Sequence, residues 1–254
     1  MNNRALRTLI LAGGKGKRLL SEQHNLPKAL RLAAGEPLIA HVIRGLKQSR
    51  AGEDIGIVVG YKGQMIVDAL GPGYTYMEQK EQLGTGHAVA MARDWLQDFD
   101  GDVLVVFGDM PLLSGDTYRM MVDTHQHSGA ACSILSAVVD PPPAFGRIVR
   151  DGQGNFLKIV EQRDCDAATA RITEVNVGVL CCDAGKLLGA LSQLKNDNNQ
   201  REYYLTDVPG ILLAQGERVQ AVPMSPERSK IEIFGVNTPE DLAFVEEMLS
   251  KGGR

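Results

Sequence analysis

Residues 102 to 107 read Asp-Val-Leu-Val-Val-Phe, a nearly unbroken apolar run. A run this short and this apolar marks a strand buried on both faces, the kind found in parallel sheets covered by helices on either side. The rest of the first half agrees. Thr8 to Leu11, Asp54 to Val59 and Tyr74 to Met77 read as strands. Pro37 to Gln48 carries Leu38, Val42, Ile43 and Leu46 at helical spacing, and Gln64 to Leu70 and Ala88 to Leu96 also read as helices. Strands alternating with helices predict an α/β fold with a doubly wound parallel sheet. In such sheets ligands bind beyond the carboxyl ends of the strands.

The unusual residues of the chain cluster at those ends. After the first strand comes Leu11-Ala12-Gly13-Gly14-Lys15-Gly16-Lys17-Arg18, followed by Leu26-Pro27-Lys28. Glycines let backbone N–H groups approach a phosphate without side-chain obstruction. Lys15, Lys17, Arg18 and Lys28 place four cations within fourteen residues of a chain whose net charge is -4. A local basic patch in an acidic protein suits a triphosphate, while the overall charge argues against nucleic acid. Neither G-x-x-x-x-G-K-[ST] nor G-x-G-x-x-G is present, so this is not a P-loop or a dinucleotide fingerprint. A solvated basic turn would account for the loop by itself.

Asp109 ends the most apolar strand, where a carboxylate is costly unless it is paired. A Mg²⁺ ion bridging triphosphate oxygens would pair with it. The alternative is that Asp109 caps the next helix, although Ser114 is better placed to do so. Gln79 and Gln82 offer amides to a base edge, and Gly84 and Gly86 allow close backbone approach. A glutamine amide can flip, so Gln79 alone would discriminate poorly between pyrimidines; backbone N–H donors of Gly84 or of the Leu11 to Gly14 turn would reject cytosine better. His87 opens the following helix and is read as structural. His125 and His127 lie two apart on a helix, on different faces, and suggest no metal site. Asn237 sits at another strand end, with capping of a helix before Pro239 as its alternative role.

In the second half, Ala131 to Val139, Gly146 to Val149, Phe156 to Val160 and Val175 to Cys182 read as strands with hairpin-like turns. A helix over Tyr204 to Ala214 precedes strands at Val219 to Val222 and Ile231 to Phe234, and Asp241 to Leu249 closes the chain as an amphipathic helix. With no linker or repeat, the 254 residues read as one domain, 1–254. Its nucleotide-binding half runs to about residue 130, and a β-rich half from about 131 covers the site. Cys132, Cys165, Cys181 and Cys182 form no C-x-x-C pair and read as reduced, buried thiols, with Cys181 and Cys182 on opposite faces of a strand. No apolar run approaches the roughly 20 residues that span a bilayer. Met1 to Thr8 is too short and polar for a signal peptide, so a cytoplasmic protein with no membrane partner is expected.

Together these residues resemble the sugar-nucleotide pyrophosphorylases, and within them the uridylyltransferase domain of the bifunctional bacterial UDP-N-acetylglucosamine pyrophosphorylases. The resemblance covers nearly the whole chain. Besides the glycine loop and Leu26-Pro27-Lys28, it runs through Gln82-Leu83-Gly84-Thr85-Gly86-His87-Ala88, Gly108-Asp109-Met110-Pro111-Leu112, Phe145-Gly146-Arg147-Ile148 and Ile159-Val160-Glu161. It continues through Glu174-Val175-Asn176-Val177-Gly178, Glu202-Tyr203-Tyr204-Leu205-Thr206-Asp207 and Gly235-Val236-Asn237.

The resemblance implies a Rossmann-like, mixed but mostly parallel sheet with a β-rich sugar-binding extension, as in nucleotide-diphospho-sugar transferases. It implies that UTP and N-acetylglucosamine 1-phosphate are joined with release of pyrophosphate, with Mg²⁺ as cofactor. Arg18 and Lys28 would be the catalytic cations on the phosphates. Leu11, Ala12, Gly13, Gly14, Lys15, Gln79, Gln82, Gly84 and Thr85 would bind the nucleotide. Gly146, Glu161, Asn176, Tyr204 and Thr206 would hold the sugar, and Asp109 and Asn237 the metal. Three features depart from the family: a longer loop between Arg18 and Pro27, Phe107 where the relatives have tyrosine, and no hexapeptide-repeat acetyltransferase half. Transfer with another sugar 1-phosphate or another nucleotide, or non-catalytic nucleotide-sugar binding, therefore stay open at this point.

Overall fold

A computed structural model of the chain describes residues 4–19, 21 and 23–252. Met1 to Asn3, Leu20, Glu22, Gly253 and Arg254 lie outside the described residues, as do the side chains of Lys17 and Arg50. The long loop after Arg18 and the two ends of the expected domain are thus described only in part.

In chain order the elements are β1 (Ala5–Ala12), the small hairpin β2 (Leu32–Ala33) and β3 (Glu36–Pro37), α1 (Leu38–Lys47), β4 (Ile55–Val59), α2 (Gly63–Leu70), β5 (Thr75–Glu78), α3 (Thr85–Ala90), α4 (Arg93–Leu96), β6 (Gly101–Phe107) and α5 (Gly115–Ser128). The second half contains β7 (Cys132–Val138), β8 (Arg147–Arg150), β9 (Phe156–Val160), β10 (Glu174–Asp183), α6 (Ala184–Leu191), α7 (Val208–Ala214), β11 (Val219–Pro223), α8 (Pro226–Glu232) and α9 (Pro239–Gly252). The main sheet runs β11-β7-β10-β6-β1-β4-β5, with β8 pairing β10 and β9 pairing β8. β1 pairs in parallel with both β4 and β6, β4 with β5, and β7 with β11. β10 is antiparallel to β6 and β7, so it alone runs against the others on this path.

Both faces are buried because successive strand residues feed different cores. Ile10, Ala12, Ile57, Val59, Leu104 and Val106 pack with α1 and α5 residues such as Val42, Leu46 and Met121. Their neighbours Leu9, Leu11, Val58, Val103 and Val105 pack with Val89, Leu96, Leu187 and Leu212 on the other face. Cys181 and Cys182 divide between these two cores as expected for adjacent strand residues. The chain passes from β1 outward through β4 to β5, then returns to β6 on the other side of β1. That reversal opens a crevice beyond the carboxyl ends of β1 and β6, where the glycine loop and Asp109 emerge.

Three sequence expectations need correction. Ile231 to Phe234 is not a strand: α8 takes in Ile231 and Glu232. The alternation Ile-Glu-Ile-Phe misled because the buried Glu232 acts as a capping acceptor. Its carboxylate accepts from Ser114 N and Oγ at 3.0 Å each and from Thr117 Oγ1 at 2.6 Å, at the start of α5, while Ile231 is exposed. The helix expected over Ala88 to Leu96 is two short helices, α3 and α4, separated by a turn at Met91 and Ala92. Tyr204 to Ala214 begins with a 3-10 turn, Leu205–Asp207, before α7.

Candidate functional site

Beyond β1 and β6 lies a cleft of about 510 Å³, joined at one wall to a second of about 190 Å³. Thr85, Phe107, Asp109 and Asn237 line both. The shared wall is assembled by backbone as well as side chains. Gly108 N donates to Leu11 O at 3.0 Å, tying the β6 end to the β1 end, and Val236 N donates to Asp109 O at 2.9 Å. Asp109 is free of capping duty because the Ser114 side chain caps α5 by accepting from Thr117 N. Asn237 is free as well. Asp241 Oδ2 accepts from the backbone N of Asn237 and of Thr238 at 2.8 Å each, leaving the Asn237 carboxamide to face the cleft.

Lys28 Nζ meets both groups. It pairs with the Asp109 carboxylate and donates to Asn237 Oδ1 at 3.0 Å. Arg18 Nη2 donates to the same Asn237 oxygen at 3.3 Å. Lys28 is held by a 3-10 turn, Lys28–Leu30, whose Ala29 and Leu30 are buried and whose preceding Pro27 fixes the approach. The two oxygens therefore lie within reach of one cation centre. Hard oxygen donors with one carboxylate, completed by phosphate oxygens and water, are the ligands Mg²⁺ accepts. The donor set fits that ion.

The larger cleft is lined by Leu11, Ala12, Gly13, Gly14, Gln79, Gln82, Gly84 and Thr85, together with Arg18 and Lys28. Lys15 is exposed and lies 6.0 Å from the Tyr61 ring centroid rather than on the cleft wall. Gly16 has φ +64°, and a Cβ there would stand 2.6 Å from Ser21 Oγ, so the turn requires glycine. Gly84 has φ +118°, and a Cβ would come within 2.5 Å of Tyr203 O. That close approach stitches the two halves of the chain: Tyr203 N donates to Leu83 O and Gly86 N to Tyr203 O, both at 2.8 Å. Gln79 Nε2 lies 3.1 Å from both Gly84 O and His87 Nδ1. Both groups are thus within hydrogen-bond reach of the Gln79 amide nitrogen.

The smaller cleft gathers Gly146, Glu161, Asn176 and Thr206. Asn176 precedes a bulge in β10, where the register with β7 shifts between Asn176 and Leu180, and its Oδ1 accepts from Gly178 N at 3.0 Å. Thr206 Oγ1 donates to Glu161 Oε1 at 2.8 Å. Burial pushes the Glu161 carboxyl above the usual glutamate range; the Thr206 hydroxyl opposes this and the Asp164, Asp207 and Glu202 carboxylates reinforce it. Tyr204 does not line this cleft: it is buried, and its hydroxyl accepts from Gln200 Nε2 at 2.8 Å. Sequence reasoning missed Arg163, a cation on the wall of the larger cleft. It stands two residues after Glu161, and no spacing rule marks it.

A family model described as nucleotidyl transferase matches residues 7–227. The chain belongs to the nucleotidyl transferase family. It is 39% identical over 244 residues to the bifunctional protein GlmU of Clostridium acetobutylicum, covering 96% of this chain and 52% of the relative. It is 42% identical over 241 residues to the GlmU of Heliobacterium modesticaldum, covering 95% and 51%. The chain thus spans about half the length of these curated relatives. Its fold is similar to a candidate glucose-1-phosphate thymidylyltransferase from Bacillus anthracis in complex with sucrose, at TM-score 0.76 and 23% identity over 96% of this chain and 95% of that one. It is also similar to a UDP-glucose pyrophosphorylase complexed with UDP-glucose, at TM-score 0.75 and 17% identity over 97% and 98%. No helix among the described residues is long and apolar enough to cross a membrane.

Proposed function

We propose that this nucleotidyl transferase joins UTP to N-acetylglucosamine 1-phosphate and releases pyrophosphate. The observation that carries the reading is the shared wall: Lys28, Asp109 and Asn237 meet where two clefts of unequal size join. A two-substrate transfer needs its reacting groups side by side, and positioning alone supplies much of the rate. The nucleotide takes the larger cleft, with its phosphates against the Gly13–Gly16 turn, Arg18 and Lys28. The sugar takes the smaller, where Glu161 and Asn176 offer acceptors and a donor to hydroxyl and amide groups.

A phosphate oxygen of the sugar 1-phosphate is already a nucleophile at neutral pH. It attacks the α-phosphorus in line, the new P–O bond forms, and the bond to pyrophosphate breaks with the electron pair leaving on its oxygen. No general base or covalent intermediate is required. Lys28 and Arg18 absorb charge that develops on the triphosphate. Mg²⁺, when bound at Asp109 and Asn237, supplies further neutralisation of the reacting phosphates. Lys28, which pairs with Asp109 and Asn237 at the shared wall, is placed to reach the nucleotide phosphates.

The test is pyrophosphate release from a matrix of UTP, CTP, dTTP and ATP against N-acetylglucosamine, glucose and galactose 1-phosphates. The highest kcat/KM is expected for UTP with N-acetylglucosamine 1-phosphate. A higher value for glucose 1-phosphate would overturn the sugar assignment and point to Phe107, which has no hydroxyl to offer. No release from any pair would leave a binding protein.

A further inference from the structure

The geometry points to a positioning role for His87, which the reaction itself does not use. We propose that His87 Nδ1 and the Gly84 carbonyl lock the Gln79 carboxamide in one orientation. The lock leaves Oε1 as a fixed acceptor that takes the N3–H of uracil and refuses the N3 lone pair of cytosine. The inference rests on the uridylyl reading of the larger cleft.

A carboxamide nitrogen carries two hydrogens. Gln79 Nε2 spends one on Gly84 O and one on His87 Nδ1, each at 3.1 Å. A carbonyl oxygen cannot donate, so an inverted amide would set oxygen against oxygen at Gly84. Gly84 O cannot move to relieve this. Its residue is held at φ +118° against Tyr203, with Tyr203 bonded on both sides to Leu83 and Gly86. His87 Nδ1 accepts when its proton sits on Nε2. With both hydrogens engaged, Gln79 has only its oxygen left to offer. That oxygen faces Gly13 at the cleft wall, where a Cβ added to Gly13 would stand 3.0 Å from it. Gln79 is almost fully buried, so water cannot substitute cheaply for a missing partner. A fixed acceptor at Gln79 and backbone N–H donors around it form the complement of the uracil edge. Cytosine reverses both features.

The lock explains why a flippable side chain can be selective, and it makes His87 testable without touching a substrate contact. In His87→Phe the ring shape survives and the acceptor is lost. The kcat/KM ratio of UTP over CTP is expected to fall about tenfold, through KM more than kcat. In His87→Asn, whose Oδ1 takes the place of Nδ1, the ratio is expected to return towards wild type. Uracil and thymine share the same N3–H edge, so the ratio of UTP to dTTP, read as inhibition constants, should not move in either variant. An unchanged UTP-to-CTP ratio in a folded His87→Phe protein overturns the lock, as does an equal shift against dTTP, which would indicate general damage to the cleft. Should the Phe variant not fold, the wild-type protein decides: a through-bond NMR coupling between Gln79 Nε2 and His87 Nδ1 is expected, and its absence overturns the proposal. A wild type that uses UTP and CTP equally overturns the uridylyl reading and this inference together. A selective wild type with an unaltered variant overturns the inference alone.

Discussion

Leu11, Ala12, Gly13, Gly14, Gly16, Arg18 and Lys28 bring one stretch of sequence to the larger cleft, as the wall proposed to meet the phosphates, whereas Gly146, Glu161, Asn176 and Thr206 reach the smaller cleft from four separate segments. The first wall is made of backbone turns and cations, which only glycines and close spacing can produce. The second is made of side chains held by a β10 bulge, the end of β9 and a 3-10 turn. On the proposed function the larger cleft holds the nucleotide phosphates through a turn that leaves no room for a side chain at Gly16. On the proposed function the smaller one reads the sugar through individual side chains.

That comparison is sharpest at Lys28. Replacing it with alanine removes the cation shared by Asp109 and Asn237, and turnover is expected to fall roughly hundredfold, about 2.7 kcal/mol of transition-state stabilisation. Steady-state pyrophosphate release gives the number; a loss under threefold would mean that the phosphate wall does not depend on this contact.

Glu161→Gln tests the other wall and should have a smaller effect. It keeps an acceptor for Thr206 but loses the charge, so kcat/KM for the sugar phosphate is expected to drop about tenfold with KM for UTP unchanged. A matching rise in KM for UTP would show that the two walls are not separable. The same variant has a pH signature. Burial raises the Glu161 carboxyl above its unfolded value, so the folded state prefers it protonated. Its favourable contribution is present in acid and is lost as pH rises through the folded value. Melting curves should therefore show Glu161→Gln gaining on wild type from the ordinary glutamate range upward. Parallel curves at all pH values would remove burial as the cause.

The difference between the walls also decides what the sequence alone could reveal. The unbroken run ending at Phe107 and the glycine loop after Leu11 carry their own physical signals, and both β strands and the crevice between them stand where those signals put them. Asp109 was legible as a carboxylate in need of a partner, which Lys28 provides, and Ser114 as the residue that frees it from capping. The smaller cleft carries no such local signal. Glu161 and Thr206 are 45 residues apart and meet only because β9 and the Leu205–Asp207 turn are brought together by the fold. Resemblance placed them; spacing could not. One local pattern misled. Ile231 to Phe234 alternates like a strand because a buried carboxylate, Glu232, caps a helix of another segment. The neighbours of Gln79, Gly84 O and His87 Nδ1, likewise come together only in the folded loop and no spacing marks them.

The joining of the two clefts at Asp109 and Asn237 is the centre of the account, and Asp109→Ala examines it directly. Pyrophosphate release from UTP and N-acetylglucosamine 1-phosphate should be followed as Mg²⁺ is raised to saturation, with circular dichroism confirming that the variant is folded. Turnover in the variant is expected to stay lower by about a hundredfold or more at every Mg²⁺ concentration. Recovery of near-wild-type turnover at saturating Mg²⁺ would contradict the assignment of that wall as the reacting centre.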